Sequence, residues 1–259
     1  MSGNKHKART ALVTGAGRRI GRAIALGLAN GGWDVGVHFH RSQSQAEELV
    51  REIETLGRKA IAIPCDLALA GDTSRLIARC ASTLGPVSCL VNNAALFEYD
   101  DLATLEAPAL ARHLDINLRA PLLLAKAFAA QAPAGADSCI INMLDQKVYN
   151  LNPDFFSYTL AKIGLEGATR MLALALAPRI RVCGVAPGIT LRSGEQTEEG
   201  FARAHRMAPL GHSSALQDLV DTVCFLVGAK SVTGETIVVD GGQHLWKLER
   251  DVQFETGKH

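Results

Sequence analysis

Short β-branched runs alternate with longer helical patterns along nearly the whole chain, and this alternation limits the possible folds more than any other feature. Strands are predicted at residues 10–14, 34–39, 59–64, 89–92, 138–143, 179–186 and 235–240. Helices are predicted at residues 20–30, 44–56, 72–84, 105–131, 158–177 and 215–227. The rhythm predicts an α/β fold, with one doubly wound domain whose roughly seven-stranded parallel sheet is flanked by helices. Ligands of such a sheet bind beyond the carboxyl ends of its strands.

The composition predicts one domain over residues 1–259, with residues 1–9 and 246–259 as terminal extensions. Of the 259 residues, 47% are hydrophobic, which is enough for a large core. The net charge is +1 without any block of like charges, so no nucleic-acid or membrane-surface partner is predicted. No apolar run is long enough to span a bilayer. Because the six cysteines are scattered without a Cys-x-x-Cys motif, we expect a cytoplasmic, metal-free protein with free thiols.

A glycine-containing turn connects the first predicted strand to the first predicted helix. It reads Thr-Gly-Ala-Gly-Arg-Arg-Ile-Gly over residues 14–21. Glycines let the backbone approach a pyrophosphate, and the N-terminus of the following helix supplies N–H groups and a positive dipole end. The turn therefore predicts a dinucleotide site, and the alternative is a tight turn without a ligand. The residues predicted to contact the cofactor here are Gly15, Arg18, Arg19, Ile20 and Gly21.

The end of the second strand predicts NADP(H) rather than NAD(H). An NAD site usually places an acidic residue there to bind the ribose diol, but this chain reads His-Phe-His-Arg-Ser over residues 38–42. Arg41 offers a charged fork to a 2′-phosphate, and His40 and Ser42 add hydrogen-bonding groups. The alternative is an ordinary basic loop. After the third strand, Asp66 beside Leu67 is predicted to accept a hydrogen bond from the adenine amine, or else to cap a helix.

Tyr158 and Lys162 are four residues apart in a helical pattern and therefore predicted to share one face. An ammonium about 4 Å from the phenol contributes roughly 4 kcal/mol at an effective dielectric constant near 20. We therefore expect Lys162 to favour the phenolate and to bring Tyr158 into range for proton transfer. By itself this spacing also fits a surface pair. Asn117 lies within a predicted helix despite its low helix propensity, which suggests a buried polar role.

Together these motifs resemble the short-chain dehydrogenase/reductase family, in order and in spacing. They are Thr-Gly-x-x-x-x-x-Gly, Asn-Asn-Ala at residues 92–94, Asn117, Tyr158-x-x-x-Lys162 and Pro187-Gly188, within residues 10 to about 245. The resemblance implies a Rossmann-type fold, with small residues beside the cofactor at Asn93, Ala94 and Ala95 and with Pro187, Gly188 and Ile189 closing over the nicotinamide. It implies that Tyr158 supplies a proton, that Lys162 tunes Tyr158 and holds the nicotinamide ribose, and that Asn117 holds a water. It also implies a homotetramer built through the two long helices after the fourth and fifth strands.

Two departures from the usual family pattern narrow the resemblance. Arg19 stands where most members have a third glycine, and Asp145 stands where most have a serine. Both resemble the pteridine reductase branch, which includes the dihydromonapterin reductases, as do residues 38–42, Phe97 and residues 239–245. The resemblance implies that Phe97 stacks on a flat pterin ring. An aromatic side chain that only fills a core or a lid is the alternative.

Asp145 favours a ring nitrogen over a carbonyl oxygen as the proton acceptor of the reaction. A serine hydroxyl can donate a hydrogen bond to a carbonyl, whereas an ionised carboxylate only accepts and would repel a developing alkoxide. We therefore predict NADPH-dependent reduction of a pterin-like cyclic imine. The alternatives are reduction of a ketone such as a 3-oxoacyl thioester or a sugar, a non-catalytic NADP(H)-binding regulator, and an Asp145 that only caps its loop.

The polar stretch at residues 189–208 is predicted to be a mobile lid whose side chains select the substrate. Its candidates are Arg192, Glu195, Glu198 and Glu199. The tail at residues 246–259 carries no family motif, and it is expected either to cross to a neighbouring subunit or to be disordered.

Overall fold

A computed structural model describes residues 9–133, 137–192 and 196–256, and its centre is one seven-stranded sheet in which every neighbouring pair is parallel. The strand order is β3-β2-β1-β4-β5-β6-β7. The strands are β1 Arg9–Val13, β2 Trp33–Phe39, β3 Ala60–Pro64, β4 Val87–Asn92, β5 Ser138–Met143, β6 Ile180–Pro187 and β7 Thr236–Val239. The predicted single α/β Rossmann-type domain is confirmed, and each strand lies within two residues of its predicted position.

Helices cover both faces of the sheet, which explains why its central strands are almost continuously apolar. Every residue of β2, β5 and β6 is buried. One face packs against side chains such as Ile24, Leu49 and Leu219, and the other packs against side chains such as Leu76 and Phe128. The edge strands β3 and β7 are only partly covered.

The helices largely follow the predicted periodicity. They are α1 Arg19–Asn30, α2 Gln43–Thr55, α3 Ala70–Leu84, α4 Ala107–Leu114, α5 Ala120–Gln131, α6 Phe156–Leu176, α7 Glu198–Arg206, α8 Leu216–Gly228 and α9 Val252–Thr256. The long helix predicted at residues 105–131 is interrupted, because a π-helical turn over Asp115–Arg119 separates α4 from α5. None of the helices in these ranges has the length and hydrophobicity that crossing a bilayer requires.

Two short helices were not predicted because their sequences are brief and polar. The first, α7, lies in the predicted lid and begins at the Thr197 side chain, which accepts a hydrogen bond from Gly200 N at 3.0 Å. Acidic residues in its first turn and basic residues in its last turn stabilise the helix by their interaction with its dipole. The second, α9, belongs to the C-terminal tail. Residues 246–256 of that tail are ordered against their own chain, so the expected disorder is wrong for them, whereas a crossing to a neighbouring subunit stays a prediction. Residues 1–8 and 257–259 of the predicted extensions, and Glu195 of the lid, lie outside the described residues.

Candidate active site

The glycine turn is held against the ends of β1 and β4 by a compact set of hydrogen bonds. Gly15 has a φ of +63°, a conformation that favours glycine, and a Cβ on Gly21 would lie 2.4 Å from the Gly15 carbonyl oxygen. Asn93 donates from Nδ2 to Thr14 O at 2.8 Å, and the Thr14 hydroxyl accepts from the backbone N–H groups of Asn93 and Ala94. Asn93 thus shapes the turn directly, while Ala95 lies in the wall of the adjacent cavity.

His38 is a further determinant of this turn that the sequence analysis did not assign to the site. Its Nδ1 accepts from Gly15 N at 2.9 Å, and its Nε2 lies 3.1 Å from Cys65 O. Burial lowers the pKa of His38 to about 4, so the ring is neutral at physiological pH. A neutral ring with its proton on Nε2 satisfies both contacts. The sequence signal was the run of residues 38–42, which resembles the pteridine reductase branch but gave His38 no role of its own.

Arg18 and Arg19 stand at the start of α1, where helix N–H groups face outward. The Arg18 side chain makes no capping bond to the helix, and the first turn of α1 contains no acid. Arg19 has a φ of +56°, which costs a non-glycine residue on the order of 1 kcal/mol. Its Nη1 donates to Arg192 O at 3.0 Å, so Arg19 connects the glycine turn to the lid. Arg19 and Ile20 also line the cavity that contains Tyr158.

The loop after β2 is next to the glycine turn, because Ala16 N donates to His38 O at 2.9 Å. His40 and Arg41 are exposed there, and Ser42 precedes α2. His40 Nε2 lies 3.8 Å from Asp66 Oδ2, so these two predicted cofactor residues lie side by side. The alternative prediction that Asp66 caps a helix is wrong. Helix α3 begins at Ala70 after Leu69, and the Asp66 carboxylate instead accepts a hydrogen bond from Ala68 N. Leu67 is 7% exposed and joins the core.

Tyr158 and Lys162 lie on one face of α6, as their spacing predicts, and both are buried. The Tyr158 hydroxyl donates to Asp145 Oδ2 at 2.9 Å. Lys162 Nζ donates to Met143 O at 2.6 Å and lies 5.6 Å from the centre of the Tyr158 ring. The structure therefore brings together three of the four predicted catalytic residues.

The predicted effect of Lys162 on Tyr158 is wrong in this structure. Burial raises the pKa of Tyr158 well above its usual value, and the Asp145 carboxylate raises it further. Burial also raises the pKa of Asp145 and lowers that of Lys162 to about 8. The Asp145 carboxylate accepts a hydrogen bond directly from the phenol, whereas the Lys162 ammonium is farther away. Tyr158 is therefore held as a protonated phenol.

Asp145 combines the two roles that the sequence left as alternatives. Its Oδ1 accepts from Lys147 N at 2.9 Å, which caps the short 3₁₀ turn Gln146–Val148, while its Oδ2 accepts from Tyr158. The loop cap therefore orients the same carboxylate towards the phenol.

Asn117 is buried in the π-helical turn, where its side chain reaches the segment after β4. Its Oδ1 accepts from Leu96 N and its Nδ2 donates to Leu96 O, each at 2.8 Å. These bonds hold the segment that leads to Phe97 and explain why a residue of poor helix propensity stands here. The implied role of Asn117 in holding a water stays a prediction.

The segment after β6 forms the opposite wall. Pro187, Gly188 and Ile189 line the same cavity as Tyr158. Ile189 N donates to the Gln243 side chain at 3.2 Å, and Gln243 is itself 2% exposed. Gln243 was noted only as part of a C-terminal motif, and the fold makes it a support of this wall.

Phe97 stands at the mouth of the cavity and is 39% exposed. Its ring stacks on Phe155 at 4.2 Å and meets the edge of Tyr158 at 4.7 Å. Phe155 has a φ of +53° and stands directly before α6. The aromatic contact therefore connects the cavity mouth to the start of the helix that carries Tyr158.

Comparison with known proteins identifies the family. Residues 15–244 match the family model described as enoyl-(acyl carrier protein) reductase. The 3-oxoacyl-(acyl-carrier-protein) reductase of Staphylococcus epidermidis is 32% identical over 242 residues, which cover 92% of this chain and 99% of that protein. The chain belongs to the short-chain dehydrogenase/reductase family.

Solved structures similar to this chain include an alternative dihydrofolate reductase. FolM alternative dihydrofolate reductase 1 from Brucella canis, complexed with NADP, is 40% identical, with a TM-score of 0.87 over 93% of this chain and 96% of that one. A short-chain dehydrogenase from Burkholderia cenocepacia, also in complex with NADP, is 31% identical, with a TM-score of 0.85 over 91% and 97%. The resemblance to the pteridine reductase branch that Arg19 and Asp145 indicate is therefore accompanied by structural similarity to this dihydrofolate reductase.

Proposed function

We propose that this protein is an NADPH-dependent reductase of a pterin-like cyclic imine, converting a dihydropteridine to a tetrahydropteridine. The observation that carries the proposal is the hydrogen bond from Tyr158 to Asp145 in the cavity wall. A carboxylate at this position suits a substrate that offers N–H groups or receives a proton on nitrogen, and it disfavours an alkoxide. The NADP-bound FolM enzyme, at 40% identity, supports the same reading.

The residues around the glycine turn fit NADP(H). Two exposed arginines, Arg18 and Arg41, and the uncapped start of α1 offer charge and N–H groups to phosphates, and no acid follows β2 to repel a 2′-phosphate. His40 and Ser42 stand beside Arg41, and Asp66 would accept a hydrogen bond from the adenine amine. When bound, NADPH supplies the hydride.

The chain's own groups would hold the substrate and move the proton. Phe97 offers one exposed aromatic face at the cavity mouth for stacking on a flat ring. Tyr158, protonated and bonded to Asp145, would deliver its proton to the imine nitrogen. Asp145, as the acceptor of the phenol hydrogen bond, would orient Tyr158, and the proton that the phenol loses would be replaced from solvent. Lys162 would hold the nicotinamide ribose, with Asn117 shaping the wall beside it.

A second candidate is reduction of a 3-oxoacyl thioester. The observation that favours it is the 32% identity to the 3-oxoacyl-(acyl-carrier-protein) reductase of Staphylococcus epidermidis over nearly the full length of both proteins. A non-catalytic regulator is disfavoured, because a binding protein has no need of the buried Tyr158–Asp145 pair.

Steady-state NADPH consumption distinguishes the two reactions. The purified protein is assayed with 7,8-dihydrobiopterin or dihydromonapterin and, in parallel, with an acetoacetyl thioester. We expect turnover of the dihydropterin at a higher kcat/KM than the thioester. Turnover of the thioester alone would overturn the proposal, and tight NADPH binding without turnover of either substrate would point to a regulator.

We also infer that the protein is a cytoplasmic homotetramer. Apolar side chains stay exposed on one side of α6, including Met171 at 71% and Leu174 at 83%, and Leu122 on α5 is 38% exposed. Two adjacent helices with exposed apolar faces favour burial against the same helices of a second copy.

A further inference from the structure

The C-terminal segment Arg250–Glu255 lies across the active-site cavity. Asp251, Val252 and Gln253 line the same cavity as Tyr158 and Asp145. Val252 is 5% exposed, so the segment is packed into the protein rather than laid on its surface. No family motif in the sequence marks this region, and the mechanism above does not use it.

Two ion pairs fasten this segment to the loop between β5 and α6. Arg250 makes a bidentate contact with Asp154, with Nε 2.9 Å from Oδ2 and Nη2 2.7 Å from Oδ1. Lys147 Nζ lies 2.9 Å from Asp251 Oδ2. The Lys147–Asp251 pair is buried, whereas the Arg250 side chain is 46% exposed and only its partner Asp154 is buried. The attraction in a buried pair barely offsets the loss of hydration, so the main effect of these contacts is to select one arrangement of the segment.

An aromatic contact joins the segment to the proposed stacking residue. Phe254 packs edge-on against Tyr99 at 5.2 Å and lies 6.2 Å from Phe155. Phe155 in turn stacks on Phe97 at 4.2 Å. The position of the segment and the position of Phe97 are therefore set by one cluster.

Gln253 is a polar residue of this segment that lines the cavity. Within the described residues its side-chain amide makes no hydrogen bond, and only its backbone N–H is engaged, with Asp251 Oδ1 at 3.0 Å. An amide both donates and accepts, as does the polar edge of a 2-amino-4-oxo heterocycle. Binding pockets fix ligand orientation with a few such groups among apolar ones.

We propose that the segment Arg250–Glu255 is the substrate-recognition wall of the cavity. Gln253 forms a hydrogen bond to the polar edge of the substrate, and the Arg250–Asp154 ion pair holds the segment in position. The chemical class of that substrate rests on the proposed function, whereas the wall itself rests on the contacts above. Gln253 is a specificity-determining residue, and Arg250 is a positioning residue.

The test compares Gln253→Leu with Gln217→Leu, a matched change at an exposed glutamine on α8. We expect Gln253→Leu to raise KM for 7,8-dihydrobiopterin roughly tenfold, because a hydrogen bond to the ligand is lost. The kcat and the Kd for NADPH should change less than about twofold, and Gln217→Leu should match the wild type. An unchanged KM in Gln253→Leu overturns the proposal.

The Arg250–Asp154 contact is tested with Arg250→Leu, Arg250→Lys and the control Arg75→Leu, which removes an exposed ion pair on α3. Arg250→Leu should raise KM in the same direction, and Arg250→Lys should partly restore it. A lower unfolding temperature with an unchanged KM would make the pair a stabiliser only and would overturn its positioning role.

Wild-type turnover separates this inference from the proposed function. If the wild type reduces only the acetoacetyl thioester, the pterin assignment fails, and the same variants are measured with the thioester. A raised KM of these variants for the thioester would support the recognition wall, and an unchanged KM would overturn that proposal as well.

Discussion

At the level of single residues, the contact between Tyr158 and Asp145 decides the protonation of the phenol in the candidate site. Tyr158 donates to Asp145, and burial together with the neighbouring carboxylate raises the pKa of the phenol. The phenol therefore carries its proton at neutral pH, but a raised pKa also makes it a weaker acid, so the bound substrate and cofactor would have to lower that pKa during proton transfer.

Replacing the carboxylate tests whether Asp145 acts in the reaction or only caps its loop. We expect Asp145→Ser to lower kcat/KM for 7,8-dihydrobiopterin by on the order of 100-fold, because the phenol loses the carboxylate that orients it. The Kd for NADPH should stay near the wild-type value. Tyr158→Phe provides the reference for loss of the proton donor. An Asp145→Ser enzyme with wild-type kcat/KM would leave Asp145 as a loop cap.

Lys162 gives a pH-dependent stability that can be measured without cofactor. Burial lowers its pKa to about 8 from an ordinary value of 10.5, so between these values the unfolded chain binds more protons than the folded protein. Stability must therefore rise with pH across that window, and below pH 8 the buried ammonium costs its full penalty. A shift of this size corresponds to about 3 kcal/mol.

Lys162→Met should remove this dependence. Measured by urea unfolding at pH 7 and pH 10, the wild-type stability relative to the variant should increase by about 2 to 3 kcal/mol at the higher pH. Lys126→Met, at an exposed position of α5, serves as the control. A wild-type advantage that is the same at both pH values would show that Lys162 keeps an ordinary pKa in the folded protein.

At the level of elements, the conformation of the glycine turn depends on contacts from β2 and from the end of β4 as much as on its own glycines. His38 holds Gly15 N, and Asn93 with Thr14 fastens the end of β4 to the same turn. The loop after β2 is thereby fixed next to the turn, where Arg41 is exposed. Arg41, the predicted partner of a 2′-phosphate, therefore lies next to the turn predicted to bind the pyrophosphate of the same cofactor.

Arg41→Ala tests cofactor choice at this loop. Loss of a charge-assisted contact should weaken NADPH binding by roughly tenfold or more, while NADH binding should change little. Fluorescence titration of both cofactors measures the ratio, with Arg51→Ala on the exposed side of α2 as the control. Equal losses for NADPH and NADH would contradict 2′-phosphate recognition by Arg41.

At the level of the whole molecule, the sheet is covered on both faces, yet α5 and α6 keep apolar side chains on their outer sides. Met171 and Leu174 are 71% and 83% exposed, although Leu165 and Ala173 of the same helix are buried. One helix therefore packs inward against the sheet and offers a second apolar face outward. An outward face of this kind favours assembly.

Leu174→Glu should reduce the assembly to a smaller oligomer or a monomer, because a charge in a buried interface is strongly unfavourable. Light scattering coupled to size-exclusion chromatography measures the mass. Leu56→Glu, at an exposed leucine beyond α2, is the matched control and should leave the mass unchanged. A Leu174→Glu protein with the wild-type mass would place any interface elsewhere.

The sequence alone determined the order of the elements and the doubly wound sheet, and it predicted many of the residues that line the candidate site. Strand and helix periods are local properties, so each strand was located to within two residues, and the motifs from Gly15 to Ile189 converge because the carboxyl ends of parallel strands share one edge. The four-residue spacing of Tyr158 and Lys162 was likewise enough to place them on one face of α6.

The tertiary structure alone decided the electrostatics of the site and the composition of its outer wall. The pKa of Tyr158 depends on burial and on Asp145 thirteen residues away, and these outweigh the helical neighbour Lys162 that the sequence pattern emphasised. The C-terminal segment comes to the cavity through contacts such as Arg250 with Asp154, about a hundred residues apart in the chain. Desolvation and long-range pairing arise only when distant segments pack together, so no local pattern encodes them.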